Sequence, residues 1–97
     1  MKIRKGLEEE YKKRHDEIWP GLKEVLKRYG ISDYSIFLDE STNDLFAVLD
    51  ITDPQKLDNL RAEEVMKRWW KYMADISITN EDLSPVTIPL KEVFYLP

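Results

Sequence analysis

Seven residues, Leu7, Tyr11, His15, Ile18, Leu22, Val25 and Tyr29, follow one another at steps of four, four, three, four, three and four. This spacing keeps side chains on one face of an α-helix. Between them stand Glu8, Glu9, Glu10, Lys12, Lys13, Arg14, Asp16, Glu17, Lys23, Glu24 and Lys27, which make the other face charged and solvated. The pattern predicts one long helix over about residues 7 to 29, buried along a single stripe. Pro20 falls inside it and removes a backbone donor, so a kink is expected near Asp16 to Pro20. Gly30 then stops it, as glycine after a last helical turn commonly does.

Around that helix the chain reads as strand, helix, two strands, helix, strand. Lys2 to Arg4 forms the end of a first strand, and Gly6 makes the turn into the helix. Tyr34-Ser35-Ile36-Phe37-Leu38 and Leu45-Phe46-Ala47-Val48-Leu49-Asp50-Ile51 are aromatic and aliphatic segments joined by the polar Asp39-Glu40-Ser41-Thr42-Asn43-Asp44, which predicts a hairpin. Asp53-Pro54 has the form of an N-cap followed by proline at the first helical position. Leu57 and Leu60, then Val65, Trp69, Tyr72 and Ile76, mark the apolar positions of a second helical region. Ser77 to Pro85 has the polar composition of a loop, and Val86 to Leu96 is predicted to be the last extended segment, with Pro89 near its edge or at a bulge.

A β-α-β-β-α-β order is the α+β, ferredoxin-like arrangement, an antiparallel sheet with both helices on one face. The other face then needs a cover. With two helices available, the economical cover is the equivalent sheet of a second subunit, giving a homodimer of the dimeric α/β barrel type. A chain of 97 residues with 42% hydrophobic content fits a single domain over residues 1–97, near the size at which one core gives modest stability.

Charge narrows the partners. The net charge of −4 is spread over interspersed acidic and basic residues, without the basic stripe that neutralises phosphates, so nucleic acid is not an expected partner. No apolar run approaches the roughly 20 residues that span a bilayer, and Met1-Lys2-Ile3-Arg4-Lys5-Gly6 leads to no signal-peptide core. A soluble, cytoplasmic protein without membrane contact is expected. The chain has no cysteine and one histidine, which argues against a disulfide framework, a thiolate nucleophile or a zinc site.

That histidine is the leading candidate for proton chemistry. His15 lies on the apolar stripe, with Tyr11 as its neighbour one turn away. An unsatisfied buried imidazole costs roughly 1–3 kcal/mol, so it needs hydrogen-bond partners, and a satisfied core histidine is the alternative account of the same position. The pair Trp69-Trp70 is the second feature. Adjacent helical residues point about 100° apart, so one packs inward while the other faces a cavity or a partner. A tryptophan face also suits the C–H-lined face of a sugar. Tyr34, at the start of the hairpin, adds a hydroxyl able to bond a hydroxylated ligand.

Four separated segments, Tyr11-Lys12-Lys13-Arg14-His15-Asp16-Glu17-Ile18-Trp19-Pro20, Tyr34-Ser35-Ile36-Phe37-Leu38-Asp39, Arg68-Trp69-Trp70-Lys71-Tyr72-Met73 and Glu92-Val93-Phe94-Tyr95-Leu96-Pro97, resemble in order those of the L-rhamnose mutarotase family. The likeness runs from about Met1 to Pro97. It implies a small cytoplasmic homodimer of ferredoxin-like subunits that interconverts the α and β anomers of L-rhamnose without a cofactor or metal. Carried across residue by residue, it implies His15 as proton donor and Tyr11, Tyr34, Trp69 and Trp70 as sugar-contacting residues. One departure is expected: family members usually begin with several more residues, so either the first strand, with the pocket wall and sheet edge it supplies, is short here or the true start lies upstream.

The chemistry suits these residues. Mutarotation gives a proton to the ring oxygen, removes one from the anomeric hydroxyl, lets the C1–C2 bond rotate, and recloses the ring on the other face. A positioned acid or base contributes about 10²- to 10⁴-fold, and histidine, whose unperturbed pKa is near 6.5, is matched to neutral pH. Tyr11, a phenol that ordinarily titrates near pH 10, fits a hydrogen-bond donor or relay better than a base. Two other readings use the same pocket: a non-catalytic sugar-binding or sensing dimer, and a cofactor-free oxygenase on the same fold.

Overall fold

A computed structural model describes residues 1–97 and shows where the predicted stripe is interrupted. There is no continuous helix over residues 7 to 29. Two helices of nine residues, α1 (Glu8–Asp16) and α2 (Pro20–Arg28), are separated by Glu17, Ile18 and Trp19. The cause is local. The residue before a proline is driven out of the helical region by the pyrrolidine ring, and Trp19 sits at φ −59°, ψ 132°. Pro20 is thus the first residue of a new helix, where its missing N–H costs nothing, and the expected kink is a break.

Gly30 ends α2 as predicted. Its N–H donates to the Lys27 carbonyl at 2.9 Å, and its φ of +79° is one that glycine adopts without penalty. The chain then runs into β1 (Ile31–Asp39) and back through β2 (Asp44–Ile51), the predicted hairpin, paired from Ile31 opposite Ile51 to Asp39 opposite Asp44. The register shifts between Ser32 and Ser35, where Asp33 takes a φ of 48°. Asp53 caps the following turn, its carboxylate accepting from the Gln55 N–H at 3.1 Å, with Pro54 in the first position as expected. A 3-10 turn (Pro54–Lys56), α3 (Leu57–Arg61) and α4 (Glu64–Met73) follow.

The outer positions of the sheet are held by single bridges. Lys2 pairs with Asp44, and Ile3 pairs with Ser77, both antiparallel. Ladder hydrogen bonds support them: Ile3 N–H to the Asn43 carbonyl at 3.1 Å, Arg4 N–H to Ile76 at 2.9 Å, and Ile78 N–H to Lys2 at 2.9 Å. The order across the sheet is therefore the segment at residue 77, the N-terminal segment, β2, then β1, with every neighbour antiparallel. That is the α+β, ferredoxin-like topology.

This order corrects one expectation. The fourth position belongs to Ser77 and its neighbours, predicted to be loop, whereas Val86 to Leu96 forms no strand. Ile76, 2% exposed, anchors the crossing segment under α4, which no residue of 86–96 does for the tail.

The core lies between sheet and helices. Leu22 of α2, Trp69 and Met73 of α4, and Ile76 form one cluster; Val25, Ile31 and Leu60 form another, backed by Leu49 and Ile51 of β2. Only 11 of the 97 residues are buried, a thin core that leaves one sheet face open.

Candidate active site

Helix α1 carries no fully buried residue; it rests on the core through Leu7, half-buried Tyr11 and half-buried His15. One turn apart on the same face, the Tyr11 and His15 rings stack with centroids 4.3 Å apart and planes inclined by 27°. Trp69 of α4 meets the imidazole edge-on at 5.4 Å. Trp19, freed from helical backbone by Pro20, meets Trp69 edge-on at 5.1 Å and lies 5.4 Å from Tyr72. Edge-to-face contacts of this kind add about 0.5–1.5 kcal/mol each beyond area burial, enough to hold the indoles in fixed orientations around His15.

His15 Nδ1 lies 3.0 Å from the Tyr11 carbonyl oxygen. A carbonyl can only accept, so Nδ1 carries the hydrogen and, in the neutral ring, Nε2 holds the free lone pair. Burial pushes the His15 pKa below its ordinary value, against the smaller opposing effects of the Tyr11 carbonyl and Asp16. The imidazole is therefore neutral at pH 7 and presents an acceptor. The phenols are held protonated: burial, reinforced by Tyr34, raises Tyr11 well above the usual range, and burial raises Tyr34.

Tyr34 stands on β1. It follows the irregularity at Asp33, and bulges of this kind re-aim side chains beside functional sites. It is 43% exposed, and its electrostatic effect on Tyr11 is the link between the two phenols.

The structure thus brings Tyr11, His15 and Trp69 into contact, with Tyr34 linked to Tyr11 by an electrostatic effect. It does not bring Trp70 to them. Trp70 packs on the margin of the Leu22, Trp69, Met73 and Ile76 cluster, with the Arg61 guanidinium 5.4 Å from its ring centroid, and lines an open cleft of about 490 Å³ together with Lys67, Lys71, Asp82 and Leu83. Another open cleft, of about 500 Å³, lies by Lys2, Arg4, Glu8 and the hairpin turn and has no aromatic wall. No group of three or more histidine, cysteine or carboxylate side chains is placed to hold a metal ion. No helix is long and apolar enough to cross a membrane.

Two contributors are not singled out by sequence pattern. Trp19 walls the cluster, and the Trp-Pro dipeptide is the available signal, because it removes Trp19 from the helix. Arg14 ties α1 to the end of α4. Its guanidinium donates to Asp75 at 2.8 and 3.1 Å, to the Tyr72 carbonyl at 2.8 Å and to Glu10 at 3.0 Å, and lies 4.4 Å from the Tyr72 ring centroid. On the helical wheel it belongs to the charged face, which hides it.

Comparison with known proteins identifies the family. The family model described as L-rhamnose mutarotase matches residues 1–96. The chain is 58% identical over 88 residues to an L-rhamnose mutarotase of Bacillus subtilis, covering 91% of this chain and 85% of that protein. It is 52% identical over 96 residues to one of Listeria monocytogenes, covering 99% and 92%. The crystal structure of an L-rhamnose mutarotase from Formosa agariphila superposes with a TM-score of 0.90 at 52% identity, covering 100% of this chain and 93% of that one. With a match along nearly its whole length in sequence and in fold, the chain belongs to the L-rhamnose mutarotase family.

Proposed function

We propose that this protein is an isomerase that interconverts the α and β anomers of L-rhamnopyranose, with His15 carrying the proton and no cofactor. The observation that carries the reading is the neutral imidazole stacked on Tyr11 and edged by Trp69, in a chain about half identical to proteins named for this activity. His15 Nε2 takes the proton of the anomeric hydroxyl while the C1–O5 bond breaks, its electron pair passing to O5. The anomeric and ring oxygens share one carbon, so an imidazole within reach of C1 serves both. The resulting imidazolium is the proton donor to O5, and the neutral ring is restored. Rotation about C1–C2 and the reverse sequence close the other anomer.

Tyr11 and Tyr34 stay protonated throughout and act as hydrogen-bond partners to sugar hydroxyls, while Trp69 supplies the stacking wall. Trp70, assigned to the sugar by resemblance, contributes in this reading only if the sugar or a second subunit extends past α4. The same reading puts the enzyme in the cytoplasm as a homodimer, the open sheet face covered by its counterpart. Magnetisation exchange between the α and β anomeric NMR signals of L-rhamnose tests the proposal. His15→Ala should slow enzyme-dependent exchange at least tenfold with circular dichroism unchanged, in line with the contribution of one acid or base. Unchanged exchange removes His15 from the mechanism; binding without exchange in the unaltered protein favours a sensor.

A further inference from the structure

Helix α1 carries the imidazole with little of its own to fix it. It is 9 residues long, buries none of them fully, has no side-chain cap at Leu7 and ends at Asp16, one residue past His15. A helix this short is marginal in water on its own, so its place is set by tertiary contacts. Two side chains supply the polar ones. At its start the Glu8 carboxylate accepts from the Asn43 amide at 2.9 Å. At the end that bears His15 the tie is Arg14, whose guanidinium donates to both Asp75 oxygens, at 2.8 and 3.1 Å, and to the Tyr72 carbonyl at 2.8 Å.

We propose that Arg14 is a positioning residue for anomer exchange: by clamping the His15 end of α1 to the end of α4, it fixes the imidazole against the Trp69 wall. This rests on His15 as the proton carrier and names what holds it in place.

Two routes run from the guanidinium to the imidazole. Along the backbone, Arg14 and His15 are adjacent, so their side chains point about 100° apart, one toward the end of α4 and the other toward the core. Through the rings, the guanidinium lies 4.4 Å from the Tyr72 centroid, Tyr72 lies 5.7 Å from Trp69, and Trp69 meets His15 at 5.4 Å. The clamp therefore bears on both sides of the His15 and Trp69 contact. Its planar fork is needed for this, since it serves a carboxylate and a carbonyl together where an ammonium is a single point. Such placement carries a large rate factor, because a displacement of about 1 Å can cost on the order of 10²-fold. Charge is not the means: the His15 pKa answers to burial, the Tyr11 carbonyl and Asp16.

The test follows anomer exchange by NMR over a range of L-rhamnose concentrations, with the full chain, well below each variant's unfolding transition and with circular dichroism unchanged. Arg14→Met should lower kcat about tenfold or more while KM moves less than about threefold, because α4 keeps its buried Trp69 and Met73 anchors and only the His15 end of α1 is released. Arg14→Lys, which keeps the charge without the fork, should leave most of that loss in place. In the His15→Ala background Arg14→Met should slow exchange no further. The single histidine gives one imidazole Cε1–H signal, which Arg14→Met should shift as the ring currents of Tyr11 and Trp69 change. A folded Arg14→Met variant with unaltered kcat and an unmoved imidazole signal overturns the proposal, leaving a clamp that serves stability alone. Full rescue by Arg14→Lys overturns it in favour of charge, and a further loss in the His15→Ala background overturns it in favour of direct contact with the sugar. Unchanged exchange in His15→Ala by itself overturns the reading of His15, and the proposal with it.

Discussion

Arg14→Met isolates the clamp that holds α1 against the end of α4. Methionine keeps a long apolar stem in place of the arginine stem, so packing is largely conserved while the charge and its hydrogen bonds go. The guanidinium side chain is 12% exposed, but its partners are not equally enclosed: the Asp75 side chain is 65% exposed and that of Glu10 41%. A buried charge-assisted hydrogen bond is worth about 1.5–3 kcal/mol; with carboxylates this wet, screening reduces each ion pair to under about 1 kcal/mol. The contact to the Tyr72 carbonyl adds a share, because that oxygen lies in the last turn of α4, where no intrahelical N–H can reach it. The expected loss is about 1.5–2.5 kcal/mol. At roughly 4–8 °C per kcal/mol for a domain of this size, Tm should fall by about 6–20 °C.

Urea unfolding followed by tryptophan fluorescence measures this, and pH supplies a second check. The Arg14 hydrogen bond holds the Asp75 carboxyl below its ordinary pKa. The unfolded chain therefore takes up that proton first on acidification, so the stability it supplies is full above about pH 4 and lost as pH falls through the lowered folded value. The gap between the unaltered protein and Arg14→Met should narrow over that acid range. An Asp75→Asn double-mutant cycle should return a coupling of roughly 0.5–1 kcal/mol. A variant within about 0.5 kcal/mol of the unaltered protein at pH 7, or a gap constant down to pH 3, refutes the clamp.

Since burial lowers the His15 pKa, the neutral acceptor persists below pH 6.5; the anomer-exchange rate should be flat from pH 8 to 6.5 and fall at lower pH. An inflection above pH 7 would contradict a neutral resting imidazole. The same shift makes the native state lose stability as pH drops from 6.5 toward the lowered value, because the unfolded chain protonates first, and His15→Gln should remove that slope in pH-dependent urea unfolding. Gly30→Ala forces a side chain onto a φ of +79° and places a Cβ over the Thr52 hydroxyl, 3.1 Å from the Thr52 Cβ, so a loss of at least about 2 kcal/mol is expected, partly recovered by Thr52→Ala. Calorimetry showing an unchanged Tm would refute that account.

Most of the architecture is legible in the sequence because it depends on short-range rules. The hairpin, the Asp53 cap and the Gly30 stop each follow from chemistry within a few residues, and the Tyr11 and His15 contact follows from a single helical turn. The break before Pro20 is legible in principle; the apolar stripe continues through it only because Ile18 still packs on the core beside Leu22. The bulge before Tyr34 is not legible, since Asp33 at φ 48° leaves no pattern in hydrophobicity. Nor is the Arg14 clamp, whose partner lies 61 residues away on a face that reads as solvated.

The misplaced fourth strand has a different cause. Hydrophobic pattern reports that a segment needs to be buried, without saying by which chain. Val86 to Leu96 carries the stronger pattern and so reads as the strand; the short segment around Ser77 takes the position because Ile76 is held beneath α4 and the N-terminal segment supplies the hydrogen bonds. The tail's apolar content is then left without a purpose inside its own subunit, although leaving several large side chains exposed forfeits roughly 25 cal/mol for each Å² that burial would remove from water. At their present exposure Phe94 and Tyr95 alone offer roughly 225–375 Å², about 6–9 kcal/mol per chain before ordering costs. The pattern of this segment is therefore a demand for burial that its own subunit does not meet, which is why it reads as a strand that it does not form.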